Sequence, residues 1–420
     1  MISNGGPPVR AQRVAVVGAG MVGLATAWFL QERGTDVTVF DRGGVAAGAS
    51  WGNAGWLAPA LTTPLPEPAV LRYGLRAVLS PESPVYVPLR ADPALWRFLA
   101  GFARHCTGAR WRRAMAAYLA FNDRALDAFD VLDAGGVPAP TRSAEPFLAC
   151  FRAETDRRAL LAELAEMESI GQKVDVEVLD GAEARRREPA LTAEVGAALQ
   201  LHGQRFIDPP RFVGALAAAV QERGGTLRVG LAVRDVLDRG DLVTLHTDEG
   251  AHRFDAVVVA TGAELNRLTR RYGVRRCVQA GRGYSFSVTA PQLPAGPVYL
   301  PTQRVACTPL AGRLRVAGMM EFRRPDEPLD PRRIRAIVDA VAPFLRGLDL
   351  DDRHDEWVGS RPCTSDGLPL IGPTASARVF VAGGHGMWGI VLGPLTGQLI
   401  ADAVLTGGIP PELIATNPLR

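Results

Sequence analysis

RVAVVGAGMVGLATAWFLQERGTDVTVFDR, residues 13–42, reads as a strand, a glycine turn, a helix and a second strand in unbroken succession. Val14–Val17 is an apolar run of the length expected for a buried parallel strand. Gly18, Gly20 and Gly23 follow at once in G-x-G-x-x-G spacing, with Ala19, Met21 and Val22 between them. Residues 21–31 are predicted helical, with Leu24, Ala27, Trp28 and Leu30 at helical intervals. Gly34 ends that helix, and residues 37–40 predict a strand closing on Asp41. The first glycine permits a tight turn, the second lets backbone approach a pyrophosphate, and the third lets helix and strand pack closely. The free amides and positive dipole end of the helix then face two negative charges. Asp41 lies about 20 residues past the glycines, where a carboxylate accepts from ribose hydroxyls. The whole unit points to an adenine dinucleotide. An ordinary strand–helix–strand unit would not need Gly20.

A chain of 420 residues exceeds one typical core, so two domains are expected. The 22% of charged residues is that of a globular protein, and the net charge of +3 is spread without a basic stripe, which speaks against nucleic acid. The five cysteines are scattered with no CxxC pair, and the six histidines form no ligand pattern, so neither a disulfide framework nor a metal site is expected. Residues 1–12 are polar and read as a leader without a secretory h-region. No apolar run is long enough to span a membrane. A cytoplasmic location is expected, with peripheral membrane contact and oligomeric state left open.

After Asp41 comes GGVAAGASWGNAGWLAP, residues 43–59, too poor in bulk to form a core. Such a segment suits passage of backbone beside a flat ligand, with Ser50 and Asn53 as its polar members. Residues 62–90 are proline-rich and read as a crossing between domains. Residues 95–135 have a helical pattern, 147–151 read as a strand, and 154–170 as an amphipathic helix. A helix at 212–221 and strands at 226–229, 233–237, 242–247 and 254–259 follow, the last running into Thr261–Gly262. Residues 277–288, 298–300, 305–309 and 314–322 alternate as in an antiparallel sheet, and 331–344 as a helix. The expected fold is α/β: a Rossmann-like nucleotide domain made of residues 1–62, 201–272 and 356–420. A substrate domain on a mixed or antiparallel sheet, residues 63–200 and 273–355, is interleaved with it.

Four segments together resemble the D-amino-acid oxidase superfamily, with bacterial D-amino-acid dehydrogenases nearest. They are GAGMVG…FDR, GASWGNAG, GRGYSFSV at 281–288, and RPCTSDGLPLIGP with GGHGMWGIVLGPLTG towards the end. The resemblance implies FAD. Gly18, Gly20 and Gly23 would face the pyrophosphate, and Asp41 and Arg42 the adenosine ribose. Ala49, Ser50, Asn53, Ala54 and Gly55 would line the way to the flavin. Val233 would meet adenine through its backbone, and Thr261–Gly262 would close over the phosphates. Gly384, His385, Gly386, Met387, Trp388 and Gly389 would form a turn at the ring. A helix starting near residues 387–389 would aim free amides at the pyrimidine edge of the flavin and favour its reduced form. No cysteine stands where covalent members need one, and Cys363 is out of register, so FAD is expected to be non-covalent.

Arg361 is the residue expected to bind substrate, because a guanidinium fork matches an amino-acid carboxylate. Tyr284 is a second candidate contact and His385 a candidate donor, each with a packing role as the competing reading. Asp366 is expected to fix the turn. The resemblance implies hydride transfer from the Cα of an amino acid to flavin N5, giving an imino acid and then a keto acid. A D-amino acid is expected, including cyclic ones such as D-proline. The electron acceptor would be a quinone, a dye or oxygen. Alternatives are a secondary-amine oxidase for sarcosine, glycine or N-methyl amino acids, an NAD-dependent dehydrogenase, and a flavoprotein electron-transfer subunit.

Overall fold

The computed structural model describes residues 11–68, 83–88 and 91–420. Residues 1–10 of the leader expected at 1–12 and most of the crossing expected at 62–90 therefore lie outside the described residues. β1 (Arg13–Val17), α1 (Met21–Glu32) and β2 (Asp36–Asp41) form where the pattern places them. Four of the five β1 residues are buried: strands flank β1, α1 covers Val14 and Val16 on one face, and the strands Val233–Asp238, Val243–Thr247 and Gly250–Phe254 cover Ala15 and Val17 on the other. Val14 pairs with Val37 on β2 and with Ala256 on the strand Ala256–Val259, both in parallel. A six-stranded sheet results, in the order Thr226–Val229, β2, β1, Ala256–Val259, Val379–Gly383, Leu370–Pro373. Only the last pairing is antiparallel.

The chain thus returns to the sheet of β1 twice from distant sequence, at 226–259 and at 370–383. The strand expected at 254–259 is two strands, Gly250–Phe254 and Ala256–Val259, in different sheets. Asp255 is the pivot: its carboxylate accepts from the amides of Gln12 and Arg13 at 2.9 and 2.8 Å, which ties the turn to the start of β1.

The second large sheet is mixed and nine-stranded. Its path runs Arg353–Thr364, Val278–Val288, Arg313–Phe322, Val305–Leu310, Val298–Leu300, Leu148–Phe151, Ala197–Leu201, Val176–Asp180, with Val85–Tyr86 beside Arg313–Phe322. One face packs on the helix Pro331–Val341, whose Ile334, Ile337 and Val341 join Tyr284, Phe286, Val316 and Leu300 in one core. The strand Arg353–Thr364 crosses the boundary expected at residue 356, so one strand belongs to the substrate sheet and also reaches the nucleotide side.

The helical region resolves into Pro93–His105, Gly108–Asn122 and Ala125–Ala134. The C-terminal helix, Gly393–Thr406, lies against α1. A Cβ at Gly397 would sit 2.6 Å from the backbone of Ala25, so this glycine is there for helix contact. No described helix is long and apolar enough to cross a membrane, and the described residues hold no cluster of metal-ligating side chains.

Candidate active site

The C-terminal ends of β1 and β2 open into a cavity of about 340 Å³. At one end it is lined by Asp41, Arg42, Val233, Glu264 and Arg267; at the other by Arg361, Pro362, Met387, Gly389 and Ile390. The glycine turn joins the two. Gly18 has φ +122°, and a Cβ there would sit 2.4 Å from the carbonyl oxygen of Ala260. At Gly23 a Cβ would sit 1.9 Å from the Gly18 carbonyl oxygen, so the helix meets the turn directly. Gly20 is the residue before α1 and is crowded only by Ser50 Oγ, at 3.2 Å. That hydroxyl accepts from the Met21 amide at 3.2 Å, so Ser50 satisfies part of the helix start.

Of the residues singled out in sequence, Gly18, Gly20, Met21, Val22, Gly23, Asp41, Arg42, Ala49, Ser50, Asn53, Val233, Thr261, Gly262, Arg361, Gly386, Met387 and Gly389 line this cavity. Several are already engaged. Asp41 accepts from the amides of Ala19, Gly43 and Gly44 at 2.8, 2.8 and 3.0 Å, so it knits the glycine turn to the loop after β2. Ala19 spends its amide there and does not line the cavity. Arg42 pairs with Glu264, which also lies 3.8 Å from Arg267. The Val233 carbonyl accepts from Arg267 at 2.7 Å.

Ala54, Gly55, Gly384 and Trp388 do not line the cavity. Gly55 is pressed against the Ile207 carbonyl, and Trp388 donates to the carbonyl of Thr63 at 2.7 Å.

Arg361 comes from the strand Arg353–Thr364, at the cavity end away from Asp41. A Cβ on Gly283 would sit 2.2 Å from its guanidinium carbon, so the glycine in GRGYSFSV is the seat of this side chain. Nη1 donates to the Met319 carbonyl at 2.7 Å, and Met319 itself has φ 60°, a conformation rare for a residue with a side chain. Among the described residues Arg361 has no ion-pair partner. Burial pushes its pKa below the ordinary guanidinium range, with the Cys363 thiol acting the other way. An enclosed cation without an anion, open to a cavity, is an unbalanced charge that an anionic ligand would balance.

Two candidates need correction. Tyr284 points to the opposite face of the sheet: it is fully buried, and its hydroxyl donates to Glu321 at 2.5 Å. Strand alternation decides this, since Gly283 and Tyr284 face opposite ways. His385 is also buried, with Nε2 2.9 Å from Thr396 Oγ1, and it does not line the cavity. The helix expected from 387–389 begins instead at Gly393. Residues before it form a turn held by Gly386 to Pro362, Trp388 to His385 and Leu392 to Trp388, which leaves the amides of Met387, Gly389 and Ile390 out of these bonds. Asp366 fixes the following turn as expected, gripped by Arg420 at 2.9 and 3.2 Å and by Arg276 at 3.3 Å.

Residues 13–403 match the family described as FAD dependent oxidoreductase, DAO. The chain belongs to the DAO family. The D-amino acid dehydrogenase of Cereibacter sphaeroides is 31% identical over 409 residues, 96% of this chain and 93% of that protein. Among solved structures, glycine oxidase from Geobacillus kaustophilus superposes with a TM-score of 0.73 at 26% identity, covering 97% of this chain and 99% of that one. Glycine oxidase from Bacillus cereus gives 0.71 at 21%, covering 97% and 99%.

As a DAO-family oxidoreductase the chain uses FAD, and its own residues fit that cofactor. Gly18 and Gly23 have no room for an added carbon, and Gly20 is bare towards the cavity. Thr261 Oγ1 is buried at the cavity wall with no hydrogen-bond partner among the described residues, the state of a hydroxyl whose acceptor or donor is a ligand. Sequence reasoning missed Glu264, Arg267, Val358–Ser360 and Ile390 in the lining. They carry no motif of their own and reach the cavity through pairing and turns; the Glu264–Arg42 ion pair had no local signal.

His385 predicts a pH effect on the DAO fold. Burial lowers its pKa from 6.5 to about 4, so the folded chain holds it neutral while the unfolded chain protonates it. Its contribution is complete above pH 6.5 and is lost as pH falls towards 4. At pH 5 the expected loss is about 2 kcal/mol. Urea unfolding of wild type and His385→Gln at pH 7.5 and 5 checks this: the wild type should lose more on acidification. Equal losses would remove His385 as the cause.

Proposed function

We propose that this chain oxidises the Cα–N bond of an amino acid, foremost a D-amino acid, to an imino acid that water converts to a keto acid and ammonia. The observation that carries the reading is Arg361: an enclosed guanidinium with one carbonyl partner, facing the cavity that fits FAD. The name of the relative from Cereibacter sphaeroides supports the same substrate class.

Bound FAD supplies the two-electron acceptance. The residues do the positioning. Arg361 holds the carboxylate by a charge-assisted fork and so fixes where Cα lies. The strand Val278–Val288 seats the Arg361 guanidinium on Gly283. The amides of Met387, Gly389 and Ile390 place partial positive charge at the same end. Asp41 and Glu264, the carboxylates in the lining, belong to the Arg42 end, and no histidine lines the cavity. The substrate amine therefore loses its proton to solvent before oxidation.

We further assign residues 1–62, 201–272 and 356–420 to cofactor binding, and 63–200 and 273–355 to substrate binding. FAD is held without a covalent bond: Cys363 is buried off the cavity lining, and burial pushes its thiol up to about 12, where it is a poor nucleophile. Five free cysteines fit a reducing, cytoplasmic setting, with peripheral membrane contact for a quinone acceptor. A panel of D-, L- and N-methyl amino acids, mixed anaerobically with the holoprotein, tests the reading through loss of flavin absorbance. Bleaching by D-amino acids is expected. Bleaching by N-methyl amino acids alone would make the chain a secondary-amine oxidase, and no bleaching by any of them would overturn the proposal.

A further inference from the structure

Register places Ser285, Ala317, Ala306 and Tyr299 in one row across four adjacent strands of the nine-stranded sheet. Directly paired residues present their side chains on the same face. Their chain neighbours Tyr284, Val316, Cys307 and Leu300 lie in the core under the helix Pro331–Val341, so this row points the other way, as Gly283 does beneath Arg361. The adjacent row is occupied. Thr308 Oγ1 accepts from Trp56 at 2.9 Å, and Arg315 donates to the Trp51 carbonyl at 3.4 Å. The middle of the first row is built of small side chains only, and Ser285 Oγ is buried there with no hydrogen-bond partner among the described residues.

The far end of the row is charged. The Tyr299 ring packs on Trp56, with centroids 5.3 Å apart, and its hydroxyl has no partner among the described residues. Beside it Glu67 lies 3.3 Å from Arg304. Glu163 enters from the helix Glu154–Ile170. Leu160, Leu164 and Met167 are the buried stripe of that helix, and Glu163 stands within it, on the packed face. It has no ion pair or hydrogen bond among the described residues. Burial and the charge of Glu67 push its pKa up to about 7, against the pull of Arg304; Glu166 adds to the rise and is itself 3.0 Å from Arg112. Two carboxylates thus face one guanidinium, that of the half-exposed Arg304, so among the described residues the corner carries one carboxylate in excess.

We propose that this corner is the side-chain subsite and that it takes a long cationic side chain, which makes basic amino acids the preferred substrates. The inference rests on the reading of Arg361 as the carboxylate site. Length supports it. Three strand spacings separate the strand under Arg361 from that of Tyr299, about 14 Å. A hydrogen bond of about 3 Å at each end and an extended lysine of about 8 Å between carboxylate and ammonium fill that span. A leucine-length side chain stops short and leaves Glu163 without a counter-ion.

The test compares D-lysine and D-arginine with D-norleucine, in both enantiomers, by anaerobic flavin reduction of the holoprotein. In the wild type kcat/KM for D-lysine is expected to exceed that for D-norleucine at least tenfold. Glu163→Gln should lower that ratio at least tenfold, mainly through the KM for lysine, with flavin content as the check on folding. Glu67→Gln, which frees Arg304 to pair with Glu163, should lower it as well. A wild-type ratio of one or less, or a ratio unmoved in both variants, overturns the subsite. If norleucine reduces the flavin and lysine does not, this inference alone falls. If neither does, the carboxylate role of Arg361 falls with it.

Discussion

Arg361→Leu is expected to raise the KM for the amino acid about 100- to 1,000-fold while FAD stays bound. Removing one partner of an enclosed, charge-assisted pair costs about 3–4 kcal/mol, which is two to three decades. The fold loses little, since Nη1 makes one hydrogen bond, to Met319, and leucine covers the Gly283 seat with apolar surface. Arg361→Lys keeps the charge and loses the fork, so it should fall between the two. Steady-state kinetics and flavin content, measured on the same preparations, check this. An unchanged KM would remove Arg361 from the site, and loss of flavin would make it a structural residue.

Gly23→Ala is expected to yield protein without flavin and destabilised by about 3 kcal/mol or more, because its methyl would overlap the Gly18 carbonyl oxygen. Gly20→Val separates cofactor loss from fold loss. Its neighbour is a serine hydroxyl that can turn away, so the chain should fold yet fail to retain FAD, with valine in the path of the pyrophosphate. Absorbance of the purified proteins and thermal unfolding distinguish the two. A fully flavinated Gly20→Val would deny that this backbone approaches the phosphates.

Local pattern was enough for the nucleotide half. In β1, α1 and β2 the apolar runs, the glycines and Asp41 are close in sequence and act within one unit, so spacing alone specified strand, turn and helix. Ser50 and Arg361 also reach the cavity lining from short segments, the second singled out through the family resemblance. The pattern failed where a single residue turns the chain. Asp255 splits one apolar run between two sheets by taking the amides of Gln12 and Arg13, more than 240 residues away. It failed again at residues 387–392, where glycines that read as a helix start form a turn, with the helix proper beginning at Gly393.

By itself, then, the sequence determined the dinucleotide-binding unit, the order of most elements and the short segment from which Arg361 lines the cavity. These depend on contacts between near neighbours, and near neighbours are written side by side. Only the tertiary structure decided which face Tyr284 takes, that His385 is sealed against Thr396, and that Glu163, Glu67, Arg304 and Tyr299 meet at one corner. Each of these turns on strand register or helix docking between segments far apart in the chain, and a one-residue slip of register would have reversed the faces.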